Sequence, residues 1–596
     1  MSTHLIDVAT ALSMYAVMAV AFYGWGYLGA ALLKLKTPTL HTPFTLIWLG
    51  WAISLLALQI IHLLVPIDFI ISFLIYGVGG ALSLLLIVYL LRRRRTKLNV
   101  YLLLFVGILL LLAYWAASRS MLPPTVHDSG LYHFNSVRWN NLFPVIPGLG
   151  NLHSRLAFNQ TYFSYVASLN FFPYFPHGRS IANSFLLLLL FSEAVWRLLV
   201  SIMRRSYADN PHPFLYLPHL FMLPILCFLA MVLHSRGLTS PTPDYASTLL
   251  QLGMFFLFVQ VIYDLRTGTW NHERGIVLTV LAVTAVTLKL SNLGFSLVLI
   301  GVCFLCFFRF SPDRKRLVQT ITPLVVLCVT IGGVWIARGY ILSGYPLFPS
   351  PIGGLSVDWA VPLESVQELE KRIYSWARFP LVHWSEVPEG WGWLESWFRR
   401  ELGNEAYTHY AGIAYPVITT LFALLLVLGI VLRAYLKKKP LPRLVDFLLL
   451  LLPVVSLTFW FFTAPIPRFA RAAFLLLPLS LVLILLSYFH AQLRARSMAV
   501  VICAAFLVTN LFLIRFCLLQ SNAITSISTT GFYPVKTVPL QQQRTPSGQR
   551  IYTSTENALC WDSPVPCTPA LNPRLDVREA GRLESGFTVT KGQGSE

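Results

Sequence analysis

Long apolar runs separated by short polar connectors extend over most of the chain. Many of these runs hold about 20 residues, enough for a helix to cross the hydrocarbon core of a bilayer. Helices are expected because lipid cannot satisfy open backbone groups. The pattern predicts an all-α polytopic membrane protein with about 14 transmembrane helices, near residues 8–33, 43–65, 68–91, 99–117, 180–202, 214–233, 245–264, 275–289, 292–308, 318–337, 411–435, 444–463, 469–488 and 498–518.

The division of one long run rests on a short polar break. Residues 275–308 are too many for one crossing of a core roughly 30 Å thick at about 1.5 Å per residue. Lys289-Leu290-Ser291-Asn292 interrupts the run, so we divide it there. A membrane lysine is costly and suggests a functional contact, here with the phosphate of a lipid carrier. The alternative is that the Lys289 amine snorkels to the surface.

The charged residues orient the chain. Only 12% of the residues are charged, against about 25% in soluble domains, and the net charge is +20. The basic residues lie in short connectors such as Arg92–Arg95, Arg314–Arg316 and Lys437–Lys439. This is the positive-inside pattern of membrane proteins, so the charge predicts no nucleic-acid partner. The first apolar run is long and lacks a preceding basic residue, which favours a span over a cleavable signal peptide.

With the basic connectors inside, both termini and the largest connectors lie on the outer side. Four regions are then outside: 118–179, 234–244, 338–410 and the tail after Asn522. The predicted organisation is N-terminal spans (1–98), a core with the first outer loop (99–336), a second large outer loop (337–410), C-terminal spans (411–521) and an extracytoplasmic tail (522–596).

The first outer loop carries a concentration of polar residues that a chain of membrane helices does not need. Asp128 follows a span and could deprotonate an acceptor hydroxyl or hold a divalent metal. The alternative is that it caps the short helix that follows. Amides, histidines and arginines suit a sugar or phosphate surface, whereas the plainer interpretation is a solvated loop. These candidate binding residues are His127, His133, Arg138, Asn140, Asn141, His153 and Arg155.

A second candidate group stands at the head of a late span. Arg468 and Arg471 lie in an outer connector, where the positive-inside rule does not call for arginine. Two arginines three residues apart at a helix start suit the binding of an anionic group.

The outer loops and the tail add local predictions. Residues 362–377 have the periodicity of an amphipathic helix, and a tryptophan cluster follows that suits either an interfacial anchor or a lid. Cys560 and Cys567 are predicted to form a disulfide, because the tail lies in an oxidising compartment on this topology. Short strands near 550–553 and 587–590 would make the tail a small module.

The layout resembles the GT-C superfamily of integral-membrane glycosyltransferases. Those enzymes place an acid in the first large outer loop just after a span, and they take sugars from polyprenyl-phosphate carriers. The resemblance implies that Asp128 is that acid, although no acidic residue adjoins it here. More narrowly, the chain resembles a family of bacterial polytopic membrane proteins without an established activity. Shared stretches are Asp128–His133, Pro147–Asn159, Lys289–Ser291, Gly344–Ser350, Thr463–Pro465 and Pro467–Phe469.

The favoured hypothesis is therefore a glycosyltransferase of the bacterial inner membrane. It would move a sugar from a polyprenyl-phosphate donor to an outer-face glycan or lipid acceptor, with no cofactor required beyond a divalent metal that Asp128 could hold. Arg468, Arg471 and Lys289 would bind the donor phosphate. The alternatives are a transporter or lipid-linked sugar flippase, which would be expected to show paired halves and polar residues at the bilayer midplane, and a non-enzymatic assembly subunit.

Overall fold

A computed structural model describes most of the chain. The described residues are 2–35, 43–93, 100–205, 212–232, 237–380, 382–388, 390–402, 414–436, 441–490, 497–507 and 528–590. The basic connectors at Lys97 and Lys437–Lys439, the end of the predicted span 498–518 and the start of the predicted tail lie outside them.

The protein is mostly helical and has the helices of an integral membrane protein. Ten helices of the described part are long and apolar enough to cross a bilayer. They are His4–Leu32, Pro43–His62, Phe69–Val88, Val100–Ser120, Gly178–Ile202, Pro243–Thr267, Leu290–Phe310, Arg314–Ser343, Leu444–Thr463 and Arg471–His490. The other four predicted spans also fall on helices: Leu217–Val232, His272–Leu288, Ala414–Leu436 and Ser497–Leu507.

Three of the ten helices form the centre of the bundle. Pro43–His62, Pro243–Thr267 and Arg471–His490 are buried along most of their length, whereas Val100–Ser120 and Arg314–Ser343 expose most of theirs. An apolar helix that exposes its side chains needs an apolar surrounding, which lipid provides. Two of these central helices carry a charged residue in their first turn: Asp244 in Pro243–Thr267 and Arg471 in Arg471–His490. Polar residues therefore cluster at one end of the bundle core.

The polar break at Lys289 divides two helices as the sequence predicts. One helix ends at Leu288, Lys289 is extended, and a 3₁₀ turn over Leu290–Asn292 leads into the next helix. The Asn292 side chain stabilises this break between the two helices, because it donates to the Ser247 hydroxyl at 3.1 Å and to the Ala285 carbonyl at 2.6 Å.

Short helices make up the two long loops that the sequence predicts to lie on the outer side, called the first and second outer loops below. The first loop holds a π-helical turn, two 3₁₀ or α turns and two short helices, over Ser129–His133, Leu149–Leu152, Ser154–Ala157, Phe134–Leu142 and Tyr162–Ala167. The second loop holds the predicted amphipathic helix at Leu363–Arg378, a 3₁₀ turn at Trp384–Glu386 and a helix at Leu394–Leu402. Arg378 ties the amphipathic helix to the span below, because it donates to the Phe462 and Thr463 carbonyls at 3.0 and 3.2 Å.

The tail module (528–590) contains the strands that the sequence predicts near 550 and 587, together with three others. β1 (Leu540–Arg544) pairs antiparallel with β2 (Arg550–Ser554), and β2 pairs in parallel with β3 (Cys567–Thr568). β4 (Leu575–Glu579) and β5 (Arg582–Val589) form a separate antiparallel pair. A disulfide joins Cys560 to Cys567 and closes the loop that precedes β3.

That disulfide loop packs directly on the turn that follows Asp128. The Trp561 amide donates to the Gly130 carbonyl at 2.7 Å, and a Cβ at Gly130 would lie 2.6 Å from the Trp561 ring. Only glycine permits this approach. Asp562 accepts two hydrogen bonds from Arg179, both at 2.7 Å, and its carbonyl accepts one from Arg138 at 2.8 Å.

The double hydrogen bond between Asp562 and Arg179 is expected to hold the tail module against the first outer loop. Replacing Asp562→Asn removes the charge that matches two arginines, so hydrogen exchange of residues 129–142 should rise about tenfold or more, as for loss of one charge-assisted pair. Glu579→Gln, at an exposed pair with Arg582, is the matched control and should leave exchange unchanged. Equal protection in both variants would contradict this anchoring role.

Candidate functional site

Asp128 stands at the start of the π-helical turn but does not cap it. Its side chain makes no capping hydrogen bond to the turn. Instead its Oδ2 lies 3.2 Å from Nη2 of Arg468, a residue 340 positions further along the chain. The capping alternative therefore does not describe this side chain, and its contacts join two distant outer segments.

Three further charged residues complete an alternating cluster with Asp128. Arg468 Nε lies 3.6 Å from Oδ2 of Asp244, and the Lys289 ammonium pairs with Oδ1 of the same carboxylate. The Lys289 nitrogen also lies 3.9 Å from the centre of the Phe469 ring. Two acids and two bases thus alternate, and we call these four residues the charge cluster.

The charge cluster lines a cavity of about 1020 Å³. Volumes of this size hold substrates or cofactors of several hundred daltons. Tyr132, His133, Asn151, His153 and Arg155 of the first outer loop line the same cavity. Apolar residues from the spans and the second loop, and residues of the tail module, complete the wall: Leu290, Phe459, Ile466, Phe469, Leu369, Ile373, Thr568, Pro569 and Ala570.

The Asp128 carboxyl is held in its ionised form. Burial raises the pKa of this carboxyl, but the neighbouring His127 and the positive charge of Arg468 lower it by more, so the pKa lies well below its usual range. An ionised carboxylate with so low a pKa is a weak base but a good partner for a cation.

Two of the histidines that line the cavity, His133 and His153, are neutral at physiological pH. Burial lowers the pKa of His133 to about 4, although Asp128 and Asp244 act in the opposite direction. Burial, together with the charge of Arg155, lowers the pKa of His153 to about 3. Neutral imidazoles offer one donor and one acceptor each, which suits contact with sugar hydroxyls better than charge pairing.

His133 is expected to make stability fall in acid. Because its pKa is about 4 in the folded protein and near 6.5 when unfolded, its contribution is full above pH 6.5 and is lost as the pH falls toward 4. The loss is about 3 kcal/mol at most. In thermal unfolding of the purified protein in detergent, His133→Gln should weaken the decline in Tm between pH 7 and 4.5. His127→Gln, at a side chain that is 70% exposed, should not, and equal declines in both variants would contradict the assignment.

Several predicted binding residues lie away from the cavity. Arg138 is engaged by the tail module through Asp562. Asn141 is structural, because it donates to the Ile67 and Ala167 carbonyls at 2.7 and 2.9 Å. Asn140 lies at a separate small cavity. The structure thus places these three residues outside the wall of the large cavity, and their contact with substrate stays a prediction.

Two other predicted residues border the site without lining it. His127 lies 4.0 Å from Asp128 but is mostly exposed. Arg471 begins the helix after the Pro467–Phe469 turn, and its guanidinium lies 6.0 Å from the Tyr245 ring, outside the cavity wall. Arg468 lies in the 3₁₀ turn Pro467–Phe469 and Arg471 in the helix that follows, and the non-helical Ala470 stands between these two elements.

Sequence reasoning missed Asp244 and the contribution of the amphipathic helix. Asp244 is the one acid in the outer segment 234–244, but an acid behind a proline at a helix start also fits ordinary helix-terminus chemistry. Glu368, Arg372 and Trp376 of the amphipathic helix line the cavity, and the Trp376 ring lies 5.4 Å from the Arg468 guanidinium. The apolar periodicity of residues 362–377 predicts an amphipathic helix, but it does not predict which surface that helix packs against.

The acids of the charge cluster are the groups best suited to a divalent ion. No group of three or more His, Cys, Asp or Glu side chains with metal-binding geometry occurs among the residues that the structure describes. Asp128 and Asp244 are both near Arg468, so a metal would need oxygens from a bound substrate to complete its shell. Magnesium commonly binds in this way, through one or two carboxylates and substrate phosphates.

The comparisons with known proteins identify the family of the chain. No curated protein and no solved structure matches it significantly. Residues 9–476, well over half of the chain, match the family described as "Domain of unknown function (DUF8201)". The match includes Asp128, Asp244, Lys289 and Arg468 and stops before the tail module. The chain belongs to the DUF8201 family.

Proposed function

We propose that the protein is a membrane glycosyltransferase of the GT-C type. It moves a sugar from a polyprenyl-phosphate donor to a glycan or lipid acceptor at the outer face of the bacterial inner membrane. The observation that carries the proposal is the convergence of Asp128, Asp244, Lys289 and Arg468, from four distant segments, on one large cavity beside the spans. Capping and snorkelling do not account for such convergence.

The donor phosphate binds Arg468 and Lys289 in this proposal. Both cations are now neutralised by Asp128 and Asp244, and a phosphate offers them a stronger, multiply bonded partner. Binding therefore draws Arg468 from Asp128. The freed carboxylate loses its nearest positive neighbour, so its pKa rises and it becomes able to accept the proton of an acceptor hydroxyl.

Asp244 remains paired with Lys289 and keeps that ammonium in place. Where the reaction uses a divalent ion, Asp128 and Asp244 are the carboxylates that would hold it, with the donor phosphate supplying further oxygens. The ion would neutralise charge on the departing polyprenyl phosphate.

The cavity wall suits a ligand with an apolar chain and a polar head. Phe459 lies on the span Leu444–Thr463, of which only 28% is buried, so lipid can reach the cavity along this helix. Ile466 and Phe469 continue the apolar wall toward Arg468. His133 and His153, which are neutral, and Asn151 lie on the side of the first outer loop, where a sugar would be recognised through its hydroxyls.

The test is a reconstitution that separates transfer from transport. The purified protein is placed in liposomes with undecaprenyl phosphate carrying radiolabelled hexoses or aminohexoses, and a detergent extract of bacterial envelope supplies acceptors. The proposal predicts a labelled product that is no longer attached to the polyprenyl carrier. Movement of intact lipid-linked sugar between leaflets without transfer would instead indicate a flippase. Neither transfer nor movement, with every donor and acceptor tried, would favour an assembly subunit.

A further inference from the structure

A second, small cavity lies behind the first outer loop. Its volume is about 30 Å³, which is room for one or two species the size of water. It shares Arg155, Phe158 and Gln160 with the wall of the large cavity. The two cavities are therefore neighbours separated by these side chains.

Two guanidinium groups line the small cavity, and Asp and Glu are absent from its lining. Arg338 donates to His62 Nδ1 at 2.7 Å and lies 3.4 Å from the Asn159 amide oxygen. Because arginine only donates, His62 Nδ1 is an acceptor and the imidazole is neutral, with its Nε2 proton on the Phe143 carbonyl at 3.0 Å. The Arg338 charge, 4% exposed, thus has only neutral partners.

The positive charge of Arg155, like that of Arg338, has no close carboxylate partner among the described residues. Its guanidinium lies 5.9 Å from the ring centres of both Tyr132 and Phe158. The acid whose titration it influences, Asp128, has its own close partner in Arg468. Within the described ranges no carboxylate forms a salt bridge with Arg155 or Arg338.

Unused donors border the same space. The Trp139 indole nitrogen and the Ser136 hydroxyl are buried, and neither has a hydrogen-bond partner in the described structure. The Gln160 amide oxygen is also buried without a partner. Rotating that amide by 180° would present its N–H₂ group instead, because the two ends are interchangeable in shape. Buried polar groups are almost always satisfied, so these groups point to a ligand that they bind together.

We propose that the small cavity is a binding site for a monovalent, halide-sized anion such as chloride. A water molecule would satisfy Ser136 and Trp139 but would leave the charge of the buried Arg338 and that of the partly buried Arg155 uncompensated, which is costly. Phosphate and sulfate are too large for the volume. The apolar remainder of the lining, which includes Leu149, Leu156 and Phe163, suits a weakly hydrated ion.

The anion would set the charge around the large cavity. Once the anion neutralises Arg155 and Arg338, a ligand in the large cavity meets the two cations of the charge cluster, Lys289 and Arg468, and Arg372, which is paired with Glu368. The site is thus part of the protein whether or not a substrate is bound, and its occupancy is measurable without any activity assay.

Bromide soaking tests the site directly. Crystals of the full chain in a lipid phase, grown with bromide in place of chloride, should show an anomalous peak within hydrogen-bond distance of Trp139 Nε1 and the Arg338 guanidinium. Absence of a peak at that position would overturn the proposal, and a water-strength peak without anomalous signal would show a hydrated cavity instead.

A stability series tests the same site in solution. At constant ionic strength, replacing gluconate by chloride should raise the Tm of the wild-type protein, because a ligand that binds only the folded state stabilises it. Trp139→Phe keeps most of the ring and removes the N–H, so the chloride concentration for half the effect should rise about tenfold. Trp460→Phe is the control, since its indole N–H already donates to the Ile466 carbonyl at 2.7 Å. Identical Tm values in chloride and gluconate, or an equal chloride dependence in Trp139→Phe and the wild type, would contradict a chloride site.

Discussion

Asp128→Asn is expected to lower sugar transfer by about 10³-fold or more, the range in which a positioned acid or base acts. The amide keeps the size of the carboxylate, but it cannot accept a proton from a hydroxyl, and without a charge it holds a cation much less strongly. Folding should be little affected, because Arg468 retains Asp244 at 3.6 Å. The measurement is single-turnover transfer by purified protein, together with its Tm.

A matched variant separates this effect from a general loss of charge. Glu395→Gln removes an exposed carboxylate of the second outer loop that pairs with Arg399 four residues on. Its activity should stay within about twofold of the wild type, since exposed pairs contribute little. Full activity in Asp128→Asn would contradict the assignment of Asp128 as the base or cation ligand of the reaction.

Arg468→Gln is expected to have the second-largest effect, a fall in kcat/KM of at least about 100-fold. The change removes the cation that lies between Asp128 and Asp244, so two buried carboxylates face each other and the donor phosphate loses a bidentate partner. Truncating one member of such a buried charge network costs about 3 kcal/mol or more, which corresponds to that factor. Donor affinity should carry most of the loss and can be measured as KM for the lipid-linked sugar.

Arg471, three residues after Arg468, is a matched control for the Arg468→Gln variant. Arg471 has the same side chain and lies in the same outer connector, but outside the cavity wall. Arg471→Gln should therefore change kcat/KM by less than about threefold. If Arg471→Gln lowers activity as much as Arg468→Gln, the connector acts through its total charge and not through the charge cluster.

The spans and several local features could be predicted because their signals are local. Apolar length predicts the helices, the polar break at Lys289 predicts where two of them divide, and short β-type patterns predict strands of the tail module. A helix period also predicts the amphipathic helix Leu363–Arg378. In each case the physical cause, burial or backbone satisfaction in lipid, acts over a few consecutive residues.

The composition of the site could be predicted only in part, because it depends on partners that are far apart in sequence. Asp128, Lys289 and Arg468 stand out since each is unusual in its own surroundings. Asp244 does not, because its local pattern is that of an ordinary helix start. The contact of Arg138 with the tail module could not be predicted for the same reason, since its partner Asp562 lies 424 residues away.

The most direct test of the account is a cryo-EM structure of the wild-type protein in lipid nanodiscs with saturating undecaprenyl phosphate. The account predicts phosphate density within hydrogen-bond distance of both Arg468 and Lys289, separation of Asp128 from Arg468, and chain density that passes Phe459 toward the lipid. An intact Asp128–Arg468 pair beside a cavity without phosphate would contradict it.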